Sequence, residues 1–274
     1  MRKVLLSKLA SAANLLSGNE SFQKMIFNAI RLDRSEAKPF VRDRDMQFLA
    51  YCLARRARSK AQILQDLWVC FELGEKRGGY FVEFGATNGL KNSNTWLLEN
   101  ELGWSGILAE PNPFWHADLA ANRGAAIEHR CVSAKSGERV SFITTDDTDP
   151  ELSAIADFSD GDHFAERRAR AARIEVETIS LDDLLDHYGA PTEIDYISID
   201  TEGSEMAILS AYSFRHRFQL ISVESNAKNE APLDALLTAK GYVRVFRQFS
   251  QWDGWYVAAE RLEGAAREVA APEA

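Results

Sequence analysis

The residues that could do chemistry are carboxylates set beside glycine turns at the ends of apolar runs. Glu83 follows Tyr80-Phe81-Val82 and precedes a turn with glycines at 85 and 89, giving acidic-x-Gly-x-x-x-Gly. Glu110 ends Gly106-Ile107-Leu108-Ala109, and Asp200 ends Tyr196-Ile197-Ser198-Ile199, with Glu202, Gly203 and Glu205 after it. Each run reads as a buried strand, and an open α/β sheet binds ligands outside the carboxyl ends of its strands. Gly85 and Gly89 would let backbone approach a ligand with no Cβ in the way. Spacing then separates the ligand classes. The dinucleotide fingerprint fails because Thr stands at 87, and the phosphate loop fails because Leu90 follows Gly89. A carboxylate at 83 would repel a pyrophosphate but suits a ligand that carries an ammonium and a sulfonium.

That pattern points to S-adenosylmethionine (SAM). A carboxylate at the end of a second strand, Glu110, can accept hydrogen bonds from both vicinal ribose hydroxyls. The same feature occurs in nicotinamide-binding folds, and an exposed acid before the Pro111 turn would look alike. Asp200 and Glu202 are two acids beside one strand end, which is costly unless they face a cation or water. Glu224, closing Leu220-Ile221-Ser222-Val223, brings another acid to the same rim. These three could instead hold a divalent metal. No His at ligand spacing accompanies them, so no metal is assigned. Glu205 is explained by its place in the first turn of a helix, where the dipole favours an acid.

The elements that must position these groups alternate regularly from Gly79 onward. Strands are expected at 80–84, 106–110, 126–132, 139–144, 173–178, 194–200, 218–224, 242–249 and 252–258. Helices are expected at 92–102, 114–123, 181–188, 204–212 and 233–240, with Asp253-Gly254 as the turn signal of a final hairpin. Such alternation predicts a mostly parallel sheet flanked by helices, with an antiparallel strand at the end. Residues 1–75 read as a helical cap: two short helices before Pro39, then one helical stretch over 45–71. Residues 146–161 are an acidic loop or lid, 76–260 the α/β domain, and 261–274 a frayed tail.

Composition narrows the function. A net charge of −9 and a pI near 5.2 argue against nucleic acid as the principal partner. The basic cluster Arg55, Arg56, Arg58 and Lys60 is too short to overturn that and reads as a solvated helix face. Cys52, Cys70 and Cys131 share no metal or disulfide spacing and fit buried thiols in a cytoplasmic protein. No apolar run is long enough to span a membrane. The oligomeric state is open, and assembly of several copies is compatible with the sequence.

Taken together, Gly79 to Gly89, Ser93-Asn94-Thr95, Gly103 to Pro113 and Ile199 to Glu205 resemble the FkbM family of SAM-dependent methyltransferases, over about Gln65 to Val257. The resemblance implies a class I Rossmann-like methyltransferase sheet and, typically, O-methylation of a sugar, glycan or secondary-metabolite hydroxyl. It implies that Glu83, Gly85 and Gly89 line the SAM loop with Phe84, Ala86, Asn88, Ser93, Asn94 and Thr95. Glu110 and Pro111 would sit at the ribose, and Asp200 and Glu202 near the methionine end and the acceptor. A neutral hydroxyl needs a base, for which Asp200 is the first candidate and His163, in the expected lid, the second. A surface histidine would look the same as His163. Trp104 and Trp115 could stack on adenine or a sugar, though core packing explains them as well. Two competing readings are a nicotinamide-dependent sugar oxidoreductase and a SAM-fold binding module without catalysis. The first lacks both G-x-G-x-x-G and Tyr-x-x-x-Lys, and the intact acids at 83, 110, 200 and 202 argue against the second.

Overall fold

The computed structural model describes residues 19–21, 23, 24, 27, 28, 44–144, 154, 155 and 172–262. The chain divides into two compact units, residues 1–55 and 56–274. In the first, helix α1 (Arg44–Arg55) buries Phe48 and Cys52. The two short helices expected before Pro39 lie largely outside the described residues, as do the 146–161 loop (save 154 and 155) and the tail from 263.

In the second unit, the single helical stretch expected over 45–71 is broken, because helix α2 (Gln65–Glu72) starts afresh after Leu64 at φ 67°. The cause is Asp66. Its carboxylate accepts from Ser59 Oγ at 2.5 Å and from the N–H groups of Lys60 and Leu67 at 2.9 and 2.8 Å. That side chain pins a loop where helical periodicity alone would have continued.

The main sheet contains β1 (Tyr80–Phe84), β2 (Ser105–Ala109), β3 (Ala126–Glu128), β8 (Glu193–Ile199), β9 (Arg217–Glu224), β10 (Tyr242–Val245) and β11 (Asp253–Ala258). Its order is β10-β11-β9-β8-β1-β2-β3. The pairs β1–β2, β1–β8, β2–β3 and β8–β9 are parallel, and β11 runs antiparallel to β9 and β10. This is a mixed α/β sheet, mostly parallel with an antiparallel C-terminal strand, as the strand–helix alternation predicts. Helices follow the strands: α3 (Trp96–Leu102), α4 (Pro113–Asn122), α5 (Leu181–His187), α6 (Glu205–Ala211) and α7 (Glu230–Ala239). Asn112 caps α4 by accepting from Phe114 N, and Ser180 caps α5 by accepting from Asp183 N.

Side chains alternate along each strand and divide the sheet into two unlike faces. Val82, Phe84, Ile197, Ile199, Ile221 and Val223 bury one face together with leucines of α5 and α7. On the other face Trp68 of α2 stacks on Trp255 at 5.0 Å and meets Tyr196 edge-on. Glu83, Ser198 and Ser222 also belong to this second face, which makes it the polar one.

Three expectations need correction. The strand expected over 126–132 is two strands in two sheets: β3 stays in the main sheet, while β4 (Cys131–Ser133) joins a four-stranded sheet. That second sheet, of order β4-β7-β5-β6, also holds β5 (Arg139–Thr144), β6 (Ala154–Ile155) and β7 (Ala172–Ser180). The strand expected over 242–249 stops at Val245, because Phe246 takes φ 49° and the chain turns through 246–252. Asp253 and Gly254 are therefore strand residues, not the turn. Gly254 is required there because a Cβ would lie 2.4 Å from the Tyr256 ring. Burial of two stacked indoles dominates the polar face, so Trp68→Ala should lower the unfolding free energy by about 3–5 kcal/mol in a urea titration.

Candidate active site

The turn after β1 is shaped by protein contacts. Gly85 has φ +72°, and a Cβ there would lie 2.3 Å from the Asp200 carbonyl oxygen, so only glycine lets these two strand ends approach. Its N–H and that of Ala86 both donate to Ala109 O. A Cβ at Gly89 would meet Arg123 Cγ at 2.5 Å and Leu119 at 2.7 Å. The second glycine thus makes room for α4 and the arginine after it. Asn88 Oδ1 accepts from the N–H groups of Leu90 and Lys91 and shapes the same turn.

Glu83 is buried, and its oxygens are taken by four protein groups. Asn94 N donates at 2.7 Å, Thr95 Oγ1 at 2.5 Å and Ser93 Oγ at 3.1 Å, and Arg123 Nη1 lies at 3.5 Å. The Arg123 side chain is fully buried and also donates to Glu99 Oε2, Gly89 O, Ser93 Oγ and Thr95 Oγ1. Sequence reading missed Arg123. A lone arginine at the end of a helix carries no signal that it will be buried.

At the end of β2, Glu110 accepts from Thr87 N and Asn112 N, both at 2.8 Å, one on each oxygen. Both oxygens keep acceptor capacity. Burial pushes this carboxyl up to about 7, against those two bonds. Beside it, His116 Nε2 lies 2.9 Å from Glu110 O, and its ring lies against that of His129, centroids 3.8 Å apart and planes tilted by 36°. Burial first, then His129, holds the His116 imidazole below its ordinary value.

The end of β8 gathers acids. One carboxylate oxygen each from Asp200, Glu202 and Glu224 lie within 4.8 Å of one another, a spacing that a divalent cation with oxygen ligands could bridge. Asp200 is exposed to solvent at this strand end, with Glu202, Glu205, Glu224 and Asp253 around it. Burial, followed by Glu202, Asp253 and Glu205, holds its carboxyl well above the usual range. Glu224 is raised by burial and then by Asp200. Behind them Asp253, register-paired with Glu224, accepts from Gln65 Nε2 at 3.0 Å, and burial pushes it up to about 6. Glu205 is buried and accepts from Thr201 and Gly203, so it stabilises the start of α6.

The structure brings Gly85, Ala86, Glu110, Asp200 and Glu202 to one sheet edge, with Ser93, Asn94 and Thr95 tied to Glu83 just beneath. Phe84 faces the apolar core, and Pro111 is half-buried beside Glu110. His163 lies outside the described residues. Trp104 and Trp115 are both buried, and Trp104 Nε1 donates to Lys76 O. Of the basic cluster, Arg58 pairs with Glu101 and Glu75, and Lys60 lies over the Trp96 ring.

Residues 83–253 match the family model described as Methyltransferase FkbM domain. Among solved structures the chain is similar to the precorrin-6y C5,15-methyltransferase from Geobacter metallireducens GS-15, at 11% identity and a TM-score of 0.36, covering 69% of this chain and 85% of that one. It is also similar to the METTL16 MTase domain, at 12% identity and a TM-score of 0.37, covering 70% of this chain and 64% of that one. No curated protein matches it.

Arg123→Met strands a buried carboxylate, so the unfolding free energy should fall by about 3–5 kcal/mol. A loss under about 1 kcal/mol in urea titration would show that the pair is dispensable. A second expectation follows from the raised carboxyls. Glu110, Asp200, Glu224 and Asp253 hold protons more tightly folded than unfolded. Their stabilisation is therefore full below the ordinary carboxylate range and is lost as pH rises through the raised values. For Glu110 that loss is on the order of 3 kcal/mol, spread from the ordinary range to about 7. The melting temperature of the ligand-free protein should fall as pH rises from about 4.5 to about 7, and Glu110→Gln should flatten that slope.

Proposed function

Because the chain belongs to the FkbM methyltransferase family, we propose that it transfers the methyl group of SAM to a hydroxyl oxygen of a sugar, glycan or small secondary metabolite. The carrying observation is the convergence on one sheet edge of the Gly85 turn, the pinned carboxylate Glu110 and the acid Asp200. The residues fit SAM. Glu110 holds one backbone N–H on each oxygen and keeps acceptor capacity for ribose hydroxyls.

When bound, SAM supplies a methyl carbon already activated by its sulfonium. The protein's share is alignment, exclusion of water and a place for the proton. Asp200 is the base: its raised carboxyl is matched to a hydroxyl proton better than an ordinary carboxylate would be. With SAM and an acceptor held at this edge, Asp200 would take the proton that the acceptor hydroxyl gives up, with Glu224 able to share it. Glu202 and Asp253 add negative charge, which favours a cationic donor at this edge. We also assign the protein to the cytoplasm, a reading supported by three buried cysteines, Cys52, Cys70 and Cys131.

Asp200→Asn keeps the shape and removes the base. Turnover should fall at least about a hundredfold, while affinity for S-adenosylhomocysteine stays within roughly a few fold. Methyl transfer from labelled SAM to a panel of glycans and hydroxylated metabolites is the assay. Full turnover in that variant would remove Asp200 from the mechanism, and the absence of any labelled product across the panel would count against an oxygen acceptor.

A further inference from the structure

Charge is divided unevenly along the chain. Residues 1–60 carry thirteen Lys or Arg against five Asp or Glu, a balance of +8, while residues 61–274 carry nineteen against thirty-six, a balance of −17. Such an asymmetry points to an anionic partner for the front of the chain. The run from 46 to 65, which includes most of α1, holds Arg55, Arg56, Arg58 and Lys60 and no acid at all. Arg58 already pairs with Glu75 and Glu101, and Arg56, directly after α1, is exposed.

Helix α1 turns apolar side chains both ways. Phe48 and Cys52 are buried, whereas Met46, Leu49 and Leu53 are 40%, 43% and 67% exposed. The exposed three stand at i, i+3 and i+7, which sets them on one stripe of the helix. Ala50 and Ala54, also exposed, lie beside them, and Arg56 stands at the end of the stripe. Phe27, in the same unit, is 65% exposed. Of the seven large apolar side chains exposed among the described residues, four therefore belong to residues 1–55. Apolar exposure and positive charge thus concentrate at the same end of the chain, and a contiguous exposed stripe marks an interaction surface.

An anionic lipid surface meets both features at once: its acyl boundary takes the apolar stripe, and its headgroups take the arginine. A nucleic acid would satisfy the bases but offers nothing to Leu49 and Leu53. A second copy would cover the leucines while setting two positively charged segments against each other. One stripe on a twelve-residue helix is also well short of the roughly 800 Å² per partner of a stable interface. Twelve residues are too few to span a bilayer, so the helix would lie in its surface. We infer that α1 docks the protein onto an anionic bilayer, with Met46, Leu49 and Leu53 entering the interface and Arg56 at the headgroups. The inference stands apart from the methyl-transfer reading and assigns a partner which that reading does not require.

Vesicle flotation of the full chain tests it. The vesicles are phosphatidylcholine alone and phosphatidylcholine mixed with phosphatidylglycerol, each at low and high salt. The wild-type chain should float with the anionic vesicles and not with the neutral ones, and less at high salt. Replacing both leucines, Leu49→Glu with Leu53→Glu, should weaken partitioning at least about tenfold, and Arg56→Glu should weaken it as well. These side chains are exposed, so the variants should melt like the wild type. Leu53→Trp keeps an apolar side chain: it should float normally and add a blue-shifted emission component on anionic vesicles. A wild-type chain that does not float would overturn the inference, as would flotation that the leucine replacements leave unchanged. A dimer in light scattering that those replacements dissolve, without flotation, would assign the stripe to a second copy instead. Retention of a DNA or RNA duplex without flotation would assign the charge to nucleic acid, with the same consequence. If the doubly replaced chain does not fold, Leu53→Trp decides, and an emission that vesicles do not shift sinks the idea.

Discussion

A guanidinium and a carboxylate buried together beneath the carboxyl edge of the sheet organise everything above them. Arg123 reaches Glu83 on β1, Glu99 on α3, the Gly89 carbonyl, and the hydroxyls of Ser93 and Thr95. Taking both charges out of water is expensive, and their attraction offsets that cost only when the remaining donors and acceptors are satisfied. Here they largely are, and the result is geometric more than energetic. The turn from Gly85 to Thr95 has one arrangement in which this network closes, so the backbone at the strand end is set before any ligand arrives.

The acids at the same edge pull the other way. Asp200, Glu202 and Glu224 crowd one another, and Asp253 adds a further carboxylate from behind. Crowded like charges destabilise the ligand-free fold, and such tension persists where function needs it. On the proposed reading, a sulfonium cofactor at this edge would relieve the repulsion, and binding would then be coupled to stability through the same oxygens. Glu83 and the rim acids therefore have opposite characters. Glu83 is neutralised inside the protein and builds the site, whereas the rim acids are left to face what enters it.

The two faces of the sheet show how one fold supports both. The face under α5 and α7 is a continuous aliphatic layer that asks nothing of polar chemistry. The opposite face carries Tyr196, Ser198, Ser222 and Glu83 between the Trp68–Trp255 stack and the Ser93–Thr95 turn. Parallel strands expose their carboxyl ends on one edge, so polar side chains on this face are carried to the place where ligands bind.

Sequence by itself determined most strands and most helices, because alternation and helical spacing are local and survive any packing. It also determined that acids at 83, 110, 200 and 202 would stand at strand ends, since each closes an apolar run. Tertiary structure alone decided what each acid does. Glu83 became an anchor because Arg123, forty residues away, is buried against it. Glu110 was pinned by the N–H of Thr87, and Asp253 joined the rim because the last hairpin turned at Phe246 instead of at Asp253-Gly254. The split of 126–132 between two sheets was equally hidden, since pairing partners are chosen across space. Local pattern says which residues can be buried or charged; only the long-range contacts that close around them settle which charges are cancelled and which are left for a ligand.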